Sequence, residues 1–363
     1  MNPQRLTVAR QRRGLTKKGF AERIGVSAQI VSDWEAGRKK PSDFRLRQVA
    51  QELDFPHGFF HADDLRLPEG DGASFRALSR MTAAQRDSAK AAAGFAADFN
   101  EWLERRFLLP KADIPDLQDS PETSAESVRL EWGLGESPVK NMVRLLELRG
   151  VRVFSLVEDC VEVDAFSFWD NDTPIILLNT KKSVERSRFD SAHELGHLVL
   201  HRHGVPNGRQ AEEQANAFAS AFLMPRGDVL ARSPRLPSIK GIVDNKARWR
   251  VSAMAYTRRM RDVGLLSDWH YHQTCRRMAQ LGYRKNEPRP MQVRETSRLL
   301  EKVFSELRRD GVTQADIGAE LLIGRQELNK LVFGLALTGL QGGGRADSSM
   351  PSRSRANLRL VDT

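Results

Sequence analysis

His193-Glu194-Leu195-Gly196-His197 decides how this chain is read. On a helix, two histidines four residues apart lie on one face, one turn above the other. Neutral imidazoles so placed can share one Zn2+, and a glutamate beside the first can reach a water on that metal. A short pattern of this kind also arises by chance, so its flanks matter. Phe189-Asp190-Ser191-Ala192 leads in, Leu198-Val199-Leu200 continues an apolar face, and a second acidic helix follows closely.

Length and charge set the surroundings of this motif. At 363 residues the chain exceeds one ordinary domain, and two or three are expected. Its 57 Lys/Arg against 47 Asp/Glu leave a net charge of +10, which suits a polyanionic partner where the excess is clustered. Cys160 and Cys275 stand far apart and outside any CxxC. That argues for a reducing cytosol and against a disulfide framework or a thiolate zinc site. The chain opens without an apolar signal region and has no run approaching about 18 apolar residues, so neither secretion nor membrane insertion is expected, and the expected location is cytoplasmic.

The basic excess is clustered at the N-terminus, where residues 1–60 hold 12 Lys/Arg and 6 Asp/Glu. Short helices are expected there. Val8-Ala9 opens one and Gly14-Leu15 ends it; Thr16 caps the next, over 17–24. Gly25 permits a left-handed turn, Ser27 caps a helix over 28–35, and Gly37 with Pro41 closes it. Phe20, Ala21, Ile24, Val26, Val31 and Trp34 have the spacing to pack these two helices at a steep angle.

Arg13-Gly14-Leu15-Thr16, then Phe20-Ala21…Ile24-Gly25-Val26-Ser27, then Trp34-Glu35-x-Gly37-Arg38…Pro41-Ser42 resemble the XRE (Cro/C1-type) helix-turn-helix family. Gly19 departs from that pattern, where a helix former is usual, at a cost of about 1 kcal/mol relative to alanine. The resemblance implies that the second helix enters the major groove of double-stranded DNA with its N-terminal residues at base edges. Ala28, Gln29, Ser32 and Asp33 would then face the DNA. Gln29 would bond an adenine edge bidentately, Ala28 would touch a thymine methyl and Asp33 would accept from cytosine. Lys17, Lys18, Arg38, Lys39 and Lys40 would neutralise phosphates. A homodimer is expected because such units read paired half-sites.

Phe59-Phe60 ends this domain, and residues 61–73, with Pro68, Gly70 and Gly72, read as a linker. Residues 75–107 are Ala-rich, with Leu78, Met81, Phe95, Phe99 and Leu103 at helical spacing, and read as a bridging helix or helical pair. After a Pro-rich connection over 110–121, residues 124–132 and 138–149 read as amphipathic helices. Residues 151–157, 161–168 and 174–179 read as strands. In metallopeptidases of the H-E-x-x-H type a sheet edge beside the metal helix takes substrate as an added strand. The segments around Ser167 and around Ile176 are both candidates for that edge.

Arg188-Phe189-Asp190-x-Ala192-His193-Glu194-Leu195-Gly196-His197…Leu200-His201, followed by Glu212-x-x-Ala215-Asn216-x-Phe218-Ala219…Phe222-Leu223-Met224-Pro225, resembles the ImmA/IrrE family of zinc metallopeptidases. The resemblance implies a small α+β zincin fold, with Glu212 as third ligand beside His193 and His197. Helix geometry agrees. On the face set by Ala215, Phe218, Ala219 and Phe222, Glu212 lies near the buried side and Glu213 points nearly opposite. Three protein ligands leave one position open for water, the arrangement of a catalytic rather than a structural zinc. Glu194 would take that water's proton and pass it to a leaving amine. Asp190 and Asn216 are candidates to support the ligands. His201 lies too far along the helix from His193 to be a ligand, and His203 reads as a loop residue. Tyr256, His270, Tyr271 and His272 are candidates for oxyanion stabilisation.

A second basic cluster, 14 Lys/Arg against 5 Asp/Glu, spans residues 240–298. Its Arg248-Trp249-Arg250 run reads as a helix face of solvated arginine, with nucleic-acid contact as the alternative. Beyond it, residues 313–334 can be laid over 16–37 at a constant offset of 297. Phe20 falls on Ile317, Ile24 on Leu321, Val26 on Ile323, Val31 on Leu328, Trp34 on Leu331 and Gly37 on Gly334. Against a second helix-turn-helix unit, Leu322 replaces the turn glycine; Arg325, Gln326, Asn329 and Lys330 would be exposed on its second helix. From residue 341 on, Gly, Ser, Arg and Asp dominate and a disordered tail is expected.

The fold expected is multidomain: an all-α helix-turn-helix domain over 1–60, a linker and bridging helices over 61–123, an α+β zincin-like metallopeptidase domain over 124–290, a helical C-terminal region over 291–340 and a tail over 341–363. The function expected is a DNA-binding transcriptional regulator with a zinc-dependent endopeptidase that cleaves a regulatory protein, of repressor or antitoxin type, or itself. One rival is a transcription factor whose zinc domain senses a ligand or peptide, against which the intact Glu194 argues; another is a toxin–antitoxin or phage-defence component.

Overall fold

The computed structural model describes residues 1–68, 82–156, 164–202, 208–234, 238–336 and the backbone of 356–357. The N-terminal sequence forms four helices, α1 (Pro3–Arg12), α2 (Lys17–Arg23), α3 (Ala28–Glu35) and α4 (Asp43–Leu53), and a 3-10 turn at His57–His61. Asn2, Thr16, Ser27 and Ser42 cap the four helices by accepting backbone N–H groups. That cap explains why α1 starts at Pro3, ahead of Val8: Asn2 closes the first turn, and proline there forfeits no intrahelical bond. Gly14 and Gly25 adopt φ of 65° and 67°, the left-handed conformation that reverses the chain between helices. Leu6, Phe20, Val31, Val49, Leu53, Phe59 and Phe60 are fully buried between them.

The described part of the expected linker is pinned to α1. Gln4 Nε2 donates to the Leu65 carbonyl at 2.8 Å, Arg5 Nε donates to the Asp63 carbonyl at 2.6 Å, and Leu65 is buried. Gly70, Gly72, Leu78 and Met81 lie outside the described residues. A single helix, α5 (Ala83–Arg106), then runs beneath α1 and leads into β1 (Phe107–Leu108). Of the expected disordered tail, Ala356–Asn357 pair in parallel with β1, and the rest lies outside the described residues.

Helices α6 (Pro121–Glu131) and α7 (Met142–Leu148) precede a three-stranded sheet of β2 (Arg152–Ser155), β3 (Ala165–Asp170) and β4 (Thr173–Leu178). The order is β2–β4–β3: β4 is central, parallel to β2 and antiparallel to β3, with Ser167 opposite Ile176. Among the described residues that order places the Ser167 strand at one edge, with β2 at the other, and Ile176 in the central strand. Cys160 and the start of the expected second strand lie outside the described residues. Helix α8 (Val184–Leu200) packs on β3 and β4, and α9 (Gly208–Leu223) packs on α8. Their approach is close at Gly196, where a Cβ would sit 3.1 Å from Phe218 Cδ1 and 3.2 Å from Ala215 Cα.

Helices α10 (Arg226–Arg232), α11 (Ile239–Lys246), α12 (Ala253–Asp262) and α13 (Asp268–Gln280) follow. The Arg-Trp run is not a solvated helix face. It forms the turn before α12; Trp249 is fully buried, and both Arg248 and Trp249 donate to the Asp228 carboxylate at 2.8–2.9 Å. The C-terminal region is helical as well, with α14 (Arg298–Arg309), α15 (Gln314–Glu320) and α16 (Arg325–Val332).

Candidate metal centre and DNA-reading face

His193 and His197 occupy successive turns of α8, and Glu212 sits on the first turns of α9, brought opposite them where Gly196 lets the helices close. Their ligating atoms lie within 4.8 Å of one another. The two Nε2 atoms are 3.0 Å apart; Glu212 Oε2 is 3.6 Å from His193 Nε2, and Oε1 is 3.4 Å from His197 Nε2. A tetrahedral ion with bonds near 2.0–2.1 Å would separate its ligand atoms by about 3.3 Å.

Hydrogen bonds behind the rings settle their tautomers. Asn216 Nδ2 donates to the Glu212 carbonyl at 2.8 Å, which turns its Oδ1 toward His193 Nδ1 at 3.2 Å. Only a donor satisfies that oxygen, so His193 carries its proton on Nδ1. On the other ring, His201 Nε2 donates to Gln214 Oε1 at 2.9 Å, which leaves His201 Nδ1 to accept from His197 Nδ1 at 3.0 Å. Both ligand histidines therefore aim Nε2 lone pairs at one point beside a carboxylate. Two lone pairs in that position repel, and a cation between them resolves the conflict. Burial, with His197 alongside, pushes the His193 imidazolium down to about 3, so the ring is neutral, the form a metal binds. The donor set fits a divalent metal of the borderline-soft kind.

Glu194 is buried beside His193, and Ser167 Oγ on the edge strand donates to its Oε2 at 2.7 Å. Asp190, one turn earlier, is pushed well above the usual carboxylate range by burial, with Asp164 and Glu194 adding. Of the two residues expected to support the ligands, Asn216 makes a contact to a ligand ring. His201 lies outside the His193–His197–Glu212 group and braces His197 from behind. Sequence reasoning missed that role, together with Gln214 and Ser167; the signal was the four-residue step from His197 to His201. His203 lies outside the described residues. The four oxyanion candidates are engaged elsewhere: Tyr256 donates to Ser233 Oγ at 2.6 Å, His270 bonds Ser267 Oγ, Tyr271 lies under Arg261, and His272 packs against Tyr271.

At the N-terminus, Lys17, Lys18, Ala28, Gln29, Arg38, Lys39 and Lys40 are exposed on α2, α3 and the turn that follows, and Ser32 is half-buried. Asp33 departs from its expected role as a base reader. It is 6% exposed, and its carboxylate accepts from Arg38 at 2.8 Å, Lys39 at 3.1 Å and Gln29 Nε2 at 2.9 Å. Those bonds, Arg38's first, hold it down to about 2. Asp33 thus braces the reader: Gln29 keeps one N–H and its amide oxygen for a partner.

Residues 8–60 match the family model described as helix-turn-helix, and residues 147–261 match the one described as IrrE N-terminal-like domain. Over 64 residues, 18% of this chain and 87% of the relative, the sequence is 36% identical to an uncharacterized HTH-type transcriptional regulator of Methanothermobacter thermautotrophicus. The chain belongs to the XRE-type helix-turn-helix proteins and carries an IrrE-type domain of a metallopeptidase family. The IrrE-type match runs from before β2 to all but the last residue of α12, and takes in the whole candidate metal centre. The helix-turn-helix match encloses every exposed residue of the candidate DNA-reading face. No helix among the described residues is long and apolar enough to cross a membrane.

Proposed function

We propose that this XRE–IrrE chain is a DNA-binding regulator in the cytoplasm whose second domain is a zinc endopeptidase acting on a regulatory protein, or on the chain itself. The observation that carries the reading is the convergence of two Nε2 lone pairs and the Glu212 carboxylate beside a buried Glu194 held by Ser167. When bound, zinc supplies a Lewis acid that polarises the scissile carbonyl and acidifies a water. His193, His197 and Glu212 would hold the ion, and Glu194 would serve as general base toward the attacking water and as proton donor to the leaving amine. Ser167 holds Glu194 Oε2, so the carboxylate is oriented before substrate arrives.

Among the described residues no strand pairs with the outer edge of β3, and a substrate peptide would lie along it as an added strand. Ala28, Gln29 and Ser32 read base edges, Asp33 steadies Gln29, and Lys17, Lys18, Arg38, Lys39 and Lys40 neutralise phosphates. The deciding experiment compares zinc-loaded wild type with Glu194→Gln against proteins encoded beside it and against the chain itself. Cleavage by the wild type alone supports the peptidase. If the wild type cuts nothing while its DNA affinity responds to a small ligand, the metal domain is a sensor.

A further inference from the structure

The C-terminal helices repeat the N-terminal ones at the backbone level. At the offset of 297, Gly14, Gly25 and Gly37 fall on Gly311, Leu322 and Gly334. All six positions have left-handed φ, from 53° at Leu322 to 74° at Gly311. Leu322 thus pays the steric cost of a conformation that glycine adopts freely in the first copy. Thr313 caps α15 as Thr16 caps α2. Val26 N–H donates to the Ala21 carbonyl at 3.0 Å, and Ile323 N–H donates to the matching Gly318 carbonyl at 2.9 Å. Across the turn, Lys17 reaches Ser32, and at the same positions Gln314 donates to Asn329 at 3.1 Å. Helix α14 takes the place of α1.

The copies differ in what their second helix faces. Ile30 and Glu35 of α3 are half-buried, while the matching Glu327 and Val332 of α16 are buried. Helix α16 packs on β2, and its Glu327 reaches the first unit. Glu327, 1% exposed, accepts from Arg12 Nε at 2.7 Å and from Arg13, both at the C-terminal end of α1. A buried carboxylate between guanidinium groups is strongly destabilising to disrupt, because removing one partner leaves a buried charge uncompensated. The same unit is seated on the metal-bearing domain: the buried Glu147 of α7 accepts from Ser297 Oγ and from the Arg298 and Leu299 N–H groups at the start of α14. The exposed lysines and arginines of the DNA-reading face lie outside these contacts.

We infer that residues 298–335 are a second helix-turn-helix unit whose α16 serves as an intramolecular clamp, Glu327 being the socket that takes Arg12 and Arg13 and holds the DNA-reading domain on the metal-bearing domain. The clamp leaves α3 open to DNA, so the chain would carry its metal centre to the operator in a fixed pose.

The test is amide hydrogen exchange on the full-length chain. Glu327→Gln is expected to speed exchange at least tenfold in the last turn of α1 and in α16, with α8 and α9 unchanged; the apolar pair Arg12→Met with Glu327→Leu is expected to restore most of the protection. Should Glu327→Gln fail to fold, Arg13→Met at the rim of the socket reads the same contact, with an expected threefold or larger acceleration. Unchanged exchange in α1 and α16, or acceleration spread equally to α8 and α9, overturns the clamp. Gln326, which matches Gln29, provides a second arm using DNA selected from a random pool by the full chain. Gln326→Ala should leave affinity within twofold, and a tenfold loss would show a second reading helix instead. That arm rests on the DNA-binding reading and the exchange arms do not, so the two failures are distinguishable.

Discussion

Gln29 is the side chain on which sequence reading by this chain is expected to turn. Its amide is braced by Asp33, so the side-chain entropy lost on meeting a base is partly lost already. Gln29→Ala is expected to weaken specific DNA binding by about 1–3 kcal/mol, measured by titration against a selected site at fixed salt; unchanged affinity removes it from the readout. At the candidate metal centre, His201 fixes the tautomer of His197 through one ring-to-ring hydrogen bond. His201→Ala is expected to lower zinc affinity about 10–100-fold in a competition with a chromophoric chelator, with helix content intact. Affinity equal to wild type would mean that His197 finds its tautomer without help. Residues such as Glu194 and Glu212 were legible in the sequence because spacing on a helix decides what faces what. Asp33 was misjudged because its partners Arg38 and Lys39 lie past the helix end, where periodicity gives no direction.

The crossing of α8 and α9 shows how an element-level contact makes the site. Glu212 can meet two histidines on another helix only if the helix backbones approach, and Gly196 provides the missing Cβ at that point. Gly196→Ala is expected to cost about 1–3 kcal/mol through overpacking against Phe218 and Ala215. It should also weaken zinc binding while leaving DNA affinity unchanged. Calorimetric unfolding with and without zinc measures both effects, and a variant with wild-type zinc-dependent stabilisation would show that α9 can retreat without carrying Glu212 away. The sheet adds a second element-level result. Strand identity was readable from apolar runs, but all three strands are apolar, so only the pairing order could show that β4 is central and β3 lies at an edge.

At the scale of the whole molecule, the clamp makes domain arrangement sensitive to acid. Burial would raise the Glu327 carboxyl, but Arg12, then Lys330 and Arg13, hold it down to about 2 from an ordinary 4.5. Its folded value is thus depressed, so its contribution is complete above about pH 4.5 and is lost as pH falls from there through about 2. Denaturation midpoints followed across that window should fall for the wild type and change less for Glu327→Gln. Equal pH dependence in the two chains would assign the acid response to other carboxylates.

Local chemistry was determined by the sequence alone. Caps and glycines bounded the N-terminal helices, the four-residue histidine step put two imidazoles on one helix face, and the offset between two distant segments exposed the repeat. All of these depend on interactions a few residues apart, for which spacing is sufficient information. The tertiary structure decided what distant segments do to one another: which strand is the edge, that His201 and Asn216 set ring tautomers, that Asp33 braces Gln29, and that Glu327 binds Arg12 across more than 300 positions. These contacts depend on how helices cross and which faces are covered, and no periodicity within one segment encodes that.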